Sequence, residues 1–194
     1  MSRKRVTLLG GSFNPIHLGH LRLARYMVER GLCDELWLTV SPCNPLKRPE
    51  GLLDTAARLR LARLAAEGLE GVRVSDYETR LPLPSYTWRT LTALRGEYPE
   101  TDFSLLVGTD NWLVFDRWRN AEDILRFHRL FLYPRPGYEV RADGLPASVT
   151  LLSDAPQCPW SSTDVRRLIG EGADCREMLP PAVWDEIERC GYYR

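Results

Sequence analysis

Two of the chain's three histidines, His17 and His20, stand three residues apart in the stretch GGSFNPIHLGH. The glycines before them, Gly10 and Gly11, let the backbone turn sharply and approach a ligand, because they carry no side chain to obstruct it. If a helix begins near His17, its free N–H groups and the positive end of its dipole attract an anion. Two imidazole N–H donors beside a phosphate can favour charge that develops only in the transition state. The stretch therefore predicts a phosphate site.

Each part of this stretch has a simpler explanation when it is taken alone. A Gly-Gly pair after a strand indicates a tight turn, and a single histidine at a helix start indicates a cap or a surface side chain. Their combination between a strand and a helix favours the phosphate site. The chain contains neither the GxxxxGK[ST] pattern of a Walker A loop nor the GxGxxG dinucleotide fingerprint, so the site belongs to neither class.

The elements that must position these residues alternate along the chain. Short apolar runs rich in β-branched residues predict strands covered on both faces, at 6–9, 35–40, 72–75, 103–107, 130–133 and 149–152. Helical patterns lie at about 18–30, 54–67, 86–97, 162–171 and 180–190. This alternation predicts an α/β fold, a Rossmann-like, doubly wound parallel sheet with helices on both faces. Ligands bind outside the carboxyl ends of such strands, where the histidine stretch begins.

Length and composition narrow the class of protein. A chain of 194 residues fits a single domain over 1–194, with a small C-terminal helical part from about residue 160. The 26 basic and 26 acidic residues balance, which gives no support to a nucleic-acid or membrane-surface role. No apolar run reaches a membrane span, and we expect no signal peptide. Five scattered cysteines without a CxxC pair indicate reduced thiols and a cytoplasmic location.

A second stretch, SSTDVRRLI, offers another anion site. Ser161 and Thr163 provide hydroxyls and, with Ser162, are good N-cap candidates for a helix that runs to about Glu171. The start of that helix attracts anions, and Arg166 adds a permanent positive charge one turn later. The alternative is an ordinary capped helix with a solvated arginine.

Lys47 lies in the loop SPCNPLKRP after the second predicted strand. It is one of two lysines in a chain that otherwise uses arginine, so a compact ammonium here hints at a point-charge contact with phosphate. A loop lysine is usually solvated, and the neighbouring Arg48 is the competing choice for the contact.

Taken together, these stretches resemble a known family. GGSFNPIHLGH resembles the GGxFxPxHxGH element of the nucleotidyltransferases with an HxGH motif. Six further segments resemble, in chain order, those of the bacterial nicotinate-nucleotide adenylyltransferases: SPCNPLKRP, PSYTWRTL, GTDNWLVFDRW, YPRPGY, SSTDVRRLI and MLPPAVWDEIERCGYYR. The resemblance spans nearly the whole chain. It implies a nucleotidyltransferase-type fold. It also implies an enzyme that converts ATP and nicotinate mononucleotide to deamido-NAD and pyrophosphate, with Mg²⁺ as the cofactor.

The resemblance also implies roles for the residues that match the family's motifs. His17 and His20 would contact the triphosphate and, with Arg166 and Lys47, act in catalysis; Lys47 would also bind the mononucleotide. The ATP site would be completed by the backbone of Gly10, Gly11, Ser12 and Phe13, and by Ser161 and Thr163 of the SxTxxR pattern.

The mononucleotide site would lie in three other segments. Asp110, in GTD, would approach a ribose hydroxyl or the magnesium ion, although a helix-capping role is an alternative. Trp118 would stack on the pyridine ring, a role that suits its large π-face, although a tryptophan is more often part of the core. Ser85 is a candidate N-cap, which would leave the N–H groups of Tyr86 and Thr87 to hold the nicotinate carboxylate.

Two other functions stay open at this point. The chain could be another HxGH adenylyl- or cytidylyltransferase, or a nucleotide-binding sensor without catalysis. The presence of His17, His20 and Arg166 together favours an enzyme. We expect small molecules as partners, with no nucleic acid and no membrane, and the sequence carries no signal of the oligomeric state.

Overall fold

The computed structural model describes residues 3–43 and 51–194, in which one parallel sheet of six strands forms the centre of the fold. The strands are β1 (Lys4–Gly11), β2 (Glu35–Val40), β3 (Val72–Ser75), β4 (Thr101–Gly108), β5 (Arg129–Tyr133) and β6 (Val149–Leu151). They lie in the order β3-β2-β1-β4-β5-β6, and every neighbouring pair is parallel. The predicted doubly wound sheet is confirmed, and each of the predicted apolar runs forms a strand.

Helices cover both faces of the sheet. They are α1 (Leu18–Glu29), α2 (Thr55–Ala66), α3 (Thr87–Glu97), α4 (Thr109–Trp112), α5 (Ala121–Phe127), α6 (Ser162–Gly170) and α7 (Pro181–Cys190). Helices α1, α2, α6 and α7 pack on one face, whereas α3 and α5 pack on the other. The sequence did not predict α4 and α5, because four and seven residues are too few to show a helical period. Within residues 3–43 and 51–194, none of the helices is long and apolar enough to cross a membrane.

Successive residues of the strands enter two different cores. Leu9 of β1 belongs to the core under α1 and α2, whereas its neighbour Leu8 belongs to the core under α3 and α5. Val165 of α6 and Ile187 of α7 are buried in the same core as Leu9. Because both faces of the strands are covered, their sequences read as continuous apolar runs.

The strand order reverses between β1 and β4, and a doubly wound sheet binds its ligands at this point. β1 ends at Gly10 and Gly11, and β4 ends beside it at Gly108. A Cβ atom on Gly10 would meet no other atom within 4 Å, so the position faces open space. The glycine stretch therefore lies at the ligand crevice, as the sequence predicted.

The predicted sharp turn at the two glycines is wrong in its position. Gly10 and Gly11 are still part of β1 and pair with Thr39 and Val40 of β2. The backbone instead enters the left-handed region two residues later, at Phe13, with φ 45°. A Cβ atom on Gly11 would lie 3.2 Å from the Phe13 ring. Gly11 avoids a tight contact with Phe13, Gly10 leaves the crevice open, and neither residue forms the turn.

Arg58 of α2 holds the loops that follow β1 and β2. Its side chain is fully buried, and its Nη1 donates to the carbonyl oxygens of Ser12, at 2.6 Å, and Ser41, at 2.8 Å. Nε donates to the Leu53 carbonyl at 2.8 Å, and Nη2 donates to Thr55 Oγ1 at 2.9 Å. Burial lowers the pKa of this guanidinium, yet an arginine stays charged at neutral pH. One side chain thus fixes both loops at the crevice.

Replacing Arg58 by methionine should destabilise the protein strongly. Arg58→Met leaves several buried carbonyl oxygens without a donor, and we expect a loss of about 3–5 kcal/mol in the free energy of unfolding, as for other broken buried charge networks. Arg63→Met is the matched control, because Arg63 lies on the same helix with a side chain that is 61% exposed. Urea unfolding of both variants measures the difference. Equal stabilities would show that Arg58 does not hold the loops.

Candidate active site

The two histidines cap the first turn of α1. His17 is the N-cap residue, and its Nδ1 accepts a hydrogen bond from the Gly19 N–H at 3.1 Å. Nδ1 of His20 accepts one from the backbone N–H of His17 at 3.2 Å. The two rings thereby form a capping box in which imidazoles replace the usual hydroxyl and carboxyl groups. Because both Nδ1 atoms accept, each ring carries its proton on Nε2, away from the capped backbone.

His17 is neutral at physiological pH. Its side chain is buried, and this burial lowers its pKa to about 4, with a further lowering by the charge of Arg135 and a smaller opposing effect of Asp164. The ring centroids of His17 and His20 are 3.8 Å apart. The site therefore presents a neutral N–H donor from His17, beside a second N–H from His20.

Two neighbours fix the histidine rings. The Phe13 ring is buried and stands edge-on to His20, with centroids 5.0 Å apart. A Cβ atom on Gly19 would lie 2.6 Å from Cys158 Sγ and 2.9 Å from His17 Cε1. The glycine between the histidines thus allows the loop before α6 to pack against the start of α1.

The start of α6 contacts the loop after β1 directly. Ser162 Oγ donates to the Pro15 carbonyl at 2.8 Å, and Arg166 Nη1 donates to the Asn14 carbonyl at 2.7 Å. Arg166 Nη2 also donates to Thr163 Oγ1 at 3.3 Å. The structure therefore brings the two predicted phosphate-binding stretches together, and the guanidinium of Arg166 is held beside the loop.

Ser161, one of the three N-cap candidates, is the N-cap of α6. Its Oγ accepts from the Asp164 N–H at 3.3 Å and donates to the Asp164 carboxylate at 2.7 Å. These hydrogen bonds occupy the hydroxyl, so the anion-binding groups at this end of the helix are its backbone N–H groups and Arg166.

Asp110 follows β4 and Arg135 follows β5, so both lie at the carboxyl edge of the sheet. The Arg135 N–H donates to Thr109 Oγ1 at 2.9 Å, and its Nε lies 3.9 Å from Asp110 Oδ2. The N-cap of α4 is Gly108, and no side chain caps this helix, so the helix-capping alternative for Asp110 is wrong. Asp110 Oδ1 is buried and has no hydrogen-bond partner among the described residues. This oxygen can accept from a ligand hydroxyl or bind a cation.

Two cavities adjoin at this edge. The larger has a volume of about 360 Å³, within the range of ligand sites, and includes Gly10, Gly108, Thr87 and Trp118 in its lining. The smaller has a volume of about 20 Å³ and is lined by His17, His20, Arg135 and Cys158, among others. Tyr133 borders both cavities, and burial raises the pKa of its hydroxyl to about 12. The arrangement offers one chamber that is large enough for an aromatic group and, beside it, a water-sized recess at which Arg135 and the two histidines can contact a phosphate oxygen.

Trp118 forms a fixed aromatic wall of the larger cavity. Its ring centroid lies 5.0 Å from that of Phe115, and Trp112 stacks on Phe115 with centroids 5.3 Å apart. Trp118 lines the cavity and also packs against the core under α3 and α5, so its stacking on a pyridine ring stays a prediction. Trp37, by contrast, is buried in the core, and so is His128, whose Nδ1 contacts the Phe103 carbonyl at 2.9 Å.

The first turn of α3 differs from its prediction by one residue. The N-cap is Tyr86 and not Ser85, and the Tyr86 N–H donates to the Pro84 carbonyl at 2.9 Å. Tyr86 therefore lines the cavity without offering its N–H. The first N–H groups of the helix are those of Thr87 and Trp88, and no side chain caps them.

Glu78 is a buried carboxylate on the floor of the larger cavity. It is 7% exposed, and its Oε1 accepts from Thr90 Oγ1 of α3 at 3.1 Å. Burial raises the pKa of this carboxyl group, which the hydroxyls of Ser41, Thr90 and Ser85 lower in part. The contact ties α3 to the segment that follows β3.

Sequence reasoning did not single out Arg135, Tyr133 or Glu78. The segment YPRPGY contributes to the family resemblance. Its arginine, Arg135, stands between two prolines after a predicted strand, and this pattern is a signal that could have pointed to the site. Glu78 has no signal in the sequence, since its burial depends on contacts with β2 and α3. The predicted contacts of Lys47, and the competing choice Arg48, lie outside the described residues.

The fold and the site define a nucleotide-binding α/β protein of the nucleotidyltransferase type. The model of the cytidylyltransferase-like family matches residues 8–168. A Bacteroides fragilis protein named probable nicotinate-nucleotide adenylyltransferase is 46% identical over 187 residues, which is 96% of this chain and 92% of the relative. One of the same name from Bacteroides thetaiotaomicron is 45% identical over 186 residues, with the same coverage. The chain belongs to the nicotinate-nucleotide adenylyltransferases within the cytidylyltransferase-like family.

The fold has solved counterparts as well. The Plasmodium falciparum nicotinic acid mononucleotide adenylyltransferase, solved in complex with NaAD, superposes with a TM-score of 0.81 over 98% of this chain and 97% of its own. Its sequence identity is 17%, so this likeness concerns the fold.

Two substitutions of His17 separate its roles as cap and as donor. His17→Asn keeps a good N-cap acceptor but removes the Nε2–H, so kcat should fall roughly 10²–10³-fold at a nearly unchanged stability. His17→Gln places an amide near the position of Nε2 and loses the cap, so it should keep more activity and lose about 1 kcal/mol of stability. Steady-state kinetics and urea unfolding of both variants measure these effects. A wild-type kcat in His17→Asn would remove His17 from the chemistry.

Proposed function

We propose that this chain transfers AMP from ATP to nicotinate mononucleotide, giving deamido-NAD and pyrophosphate. The main support is the pair of adjoining cavities that Tyr133 separates. The triphosphate would lie over the smaller cavity, which at about 20 Å³ admits only part of it, against His17 and His20. The larger would hold the mononucleotide against Trp118. The reacting phosphates would then meet near Gly10, at the end of β1.

The reaction needs stabilisation of charge more than it needs a base. The 5′-phosphate of the mononucleotide is ionised at neutral pH, and its oxygen attacks the α-phosphorus of ATP. As this bond forms, the bond from the α-phosphorus to the bridging oxygen breaks, and pyrophosphate leaves with the electron pair. The Nε2–H groups of His17 and His20 would donate to the growing negative charge, and Arg135 and Arg166 would add positive potential.

The acceptor would be recognised at α3. The pyridine ring would stack on Trp118, and the nicotinate carboxylate would accept a hydrogen bond from the Thr87 N–H at the positive end of the helix. A carboxamide has no charge for the dipole to attract. The turn would therefore select the acid over the amide.

We propose Mg²⁺ as the divalent cation that accompanies ATP. No group of three or more metal-ligating side chains occurs in the part of the chain that the structure describes, but Asp110 Oδ1 is a buried carboxylate oxygen without a partner there. Magnesium sites often use one or two carboxylates together with substrate phosphates, so the residues fit the ion. Asp110 would hold it, and the ion would neutralise part of the triphosphate charge.

The proposal extends to the organisation and location of the chain. We take residues 1–194 as a single domain with a small helical part from about residue 160, which the packing of α6 and α7 into the core of α1 and α2 supports. A cytoplasmic location, with small-molecule substrates and neither nucleic acid nor membrane as partners, rests on the composition and the scattered cysteines.

The preference for the acid over the amide mononucleotide tests the proposed acceptor and its recognition at α3. Wild-type kcat/KM should favour nicotinate over nicotinamide mononucleotide by roughly 5- to 150-fold, given typical dipole and charge-assisted terms. Thr87→Pro should reduce the preference, because it deletes one N–H at the first helical position, where proline is well tolerated. Thr87→Ser keeps the N–H and is the control, which should retain the preference. Equal use of both mononucleotides by the wild type would contradict the proposal.

Pyrophosphate release separates the other two functions. A different HxGH transferase would release pyrophosphate from ATP or CTP with another acceptor and not with nicotinate mononucleotide. A sensor would release none with any acceptor.

A further inference from the structure

The mouth of the larger cavity carries two exposed arginines, Arg117 and Arg119, to which the proposed reaction gives no role. Most arginines with described contacts pair with a carboxylate, for example Arg5 with Asp34. Among the described residues, Arg119 has no ion-pair partner; its contact is with the face of the Tyr86 ring, 5.4 Å from the centroid. No carboxylate of residues 3–43 and 51–194 pairs with this positive charge, which lies at a ligand cavity.

Arg119 lies next to the residues that would bind the acid group of the mononucleotide. It follows Trp118 in the chain, and its guanidinium lies on Tyr86, the N-cap of α3. Arg89 lies against the same Tyr86 ring at 5.5 Å, but its Nη1 is engaged by the carbonyl oxygens of Pro82 and Pro84. Of these two cations at the N-cap, Arg119 is the one without such hydrogen bonds among the described residues.

We propose that Arg119 reads the acid group of the mononucleotide together with the Thr87 N–H. This inference rests on the proposed function, because it assigns the acid group of that substrate. A guanidinium presents a planar fork of donors that matches the two oxygens of a carboxylate. Tyr86 supports the guanidinium from one side by a cation–π contact, which keeps the fork at the cavity mouth. Recognition of the acid then combines a backbone donor, a helix dipole and a full charge.

A phosphate contact is the competing role for Arg119. Nicotinate and nicotinamide mononucleotide have the same phosphate and differ in the acid group alone. Loss of a phosphate contact would therefore lower kcat/KM for both mononucleotides. Loss of an acid contact would lower kcat/KM for nicotinate mononucleotide alone.

The test is the substrate preference of Arg119→Gln in the full chain. We expect kcat/KM for nicotinate mononucleotide to fall roughly 10- to 100-fold, with less than about threefold change for the amide and for the KM of ATP, in line with the loss of a charge-assisted hydrogen bond. Arg119→Lys should recover part of the preference. Arg126→Gln on α5 removes the same charge from an exposed position outside the cavity and is the matched control.

Several outcomes would overturn the inference. An equal fall for acid and amide would assign Arg119 to the phosphate, and an unchanged preference would leave it without a role in recognition. Calorimetric titration of nicotinate mononucleotide into the wild type and Arg119→Gln separates this inference from the proposed function. If the wild type binds but does not turn over, the proposed reaction fails, and weaker binding by Arg119→Gln alone still supports the acid contact. Equal binding by both proteins contradicts it.

Discussion

The site depends on how the first turn of α1 satisfies its own backbone. A helix that starts at a ligand crevice must provide acceptors for its first N–H groups, and here the acceptors are the Nδ1 atoms of His17 and His20. An aspartate cap would satisfy the same N–H groups, but an ionised carboxylate only accepts and would present no donor to a ligand. An imidazole does both, because the ring that accepts at Nδ1 donates at Nε2. The capping bond therefore sets the tautomer, and the tautomer sets what the site can donate.

The rest of the fold serves to keep these donors at the point where two substrates meet. The reversal of strand order between β1 and β4 opens the crevice, and buried Arg58 holds the loops that leave β1 and β2. α6 is tied to the loop before α1 through Arg166. These contacts join segments that lie far apart in the chain.

The sequence predicted what depends on local patterns and missed what depends on distant contacts. The strands were predictable because burial on both faces makes them continuously apolar. The start of α6 was predictable to within three neighbouring hydroxyl residues, of which Ser161 is the cap. The start of α3 was wrong by one residue because the Pro84 carbonyl takes the Tyr86 N–H, a bond that no spacing rule reveals. Glu78 could not be found from the sequence, since its role arises only when α3 packs over it.

The central claim is that His17 is a neutral Nε2–H donor, and ¹⁵N NMR of the imidazole side chains tests it most directly. With three histidines in the chain, His17→Asn identifies the signals of His17. We predict an unprotonated Nδ1 and a protonated Nε2 at pH 7, with a titration midpoint near the pKa of about 4. Because an unfolded histidine protonates near pH 6.5, the wild type should also lose stability relative to His17→Asn as the pH falls from about 6.5 to about 4. A protonated Nδ1 at pH 7, or a midpoint near 6.5, would contradict the account.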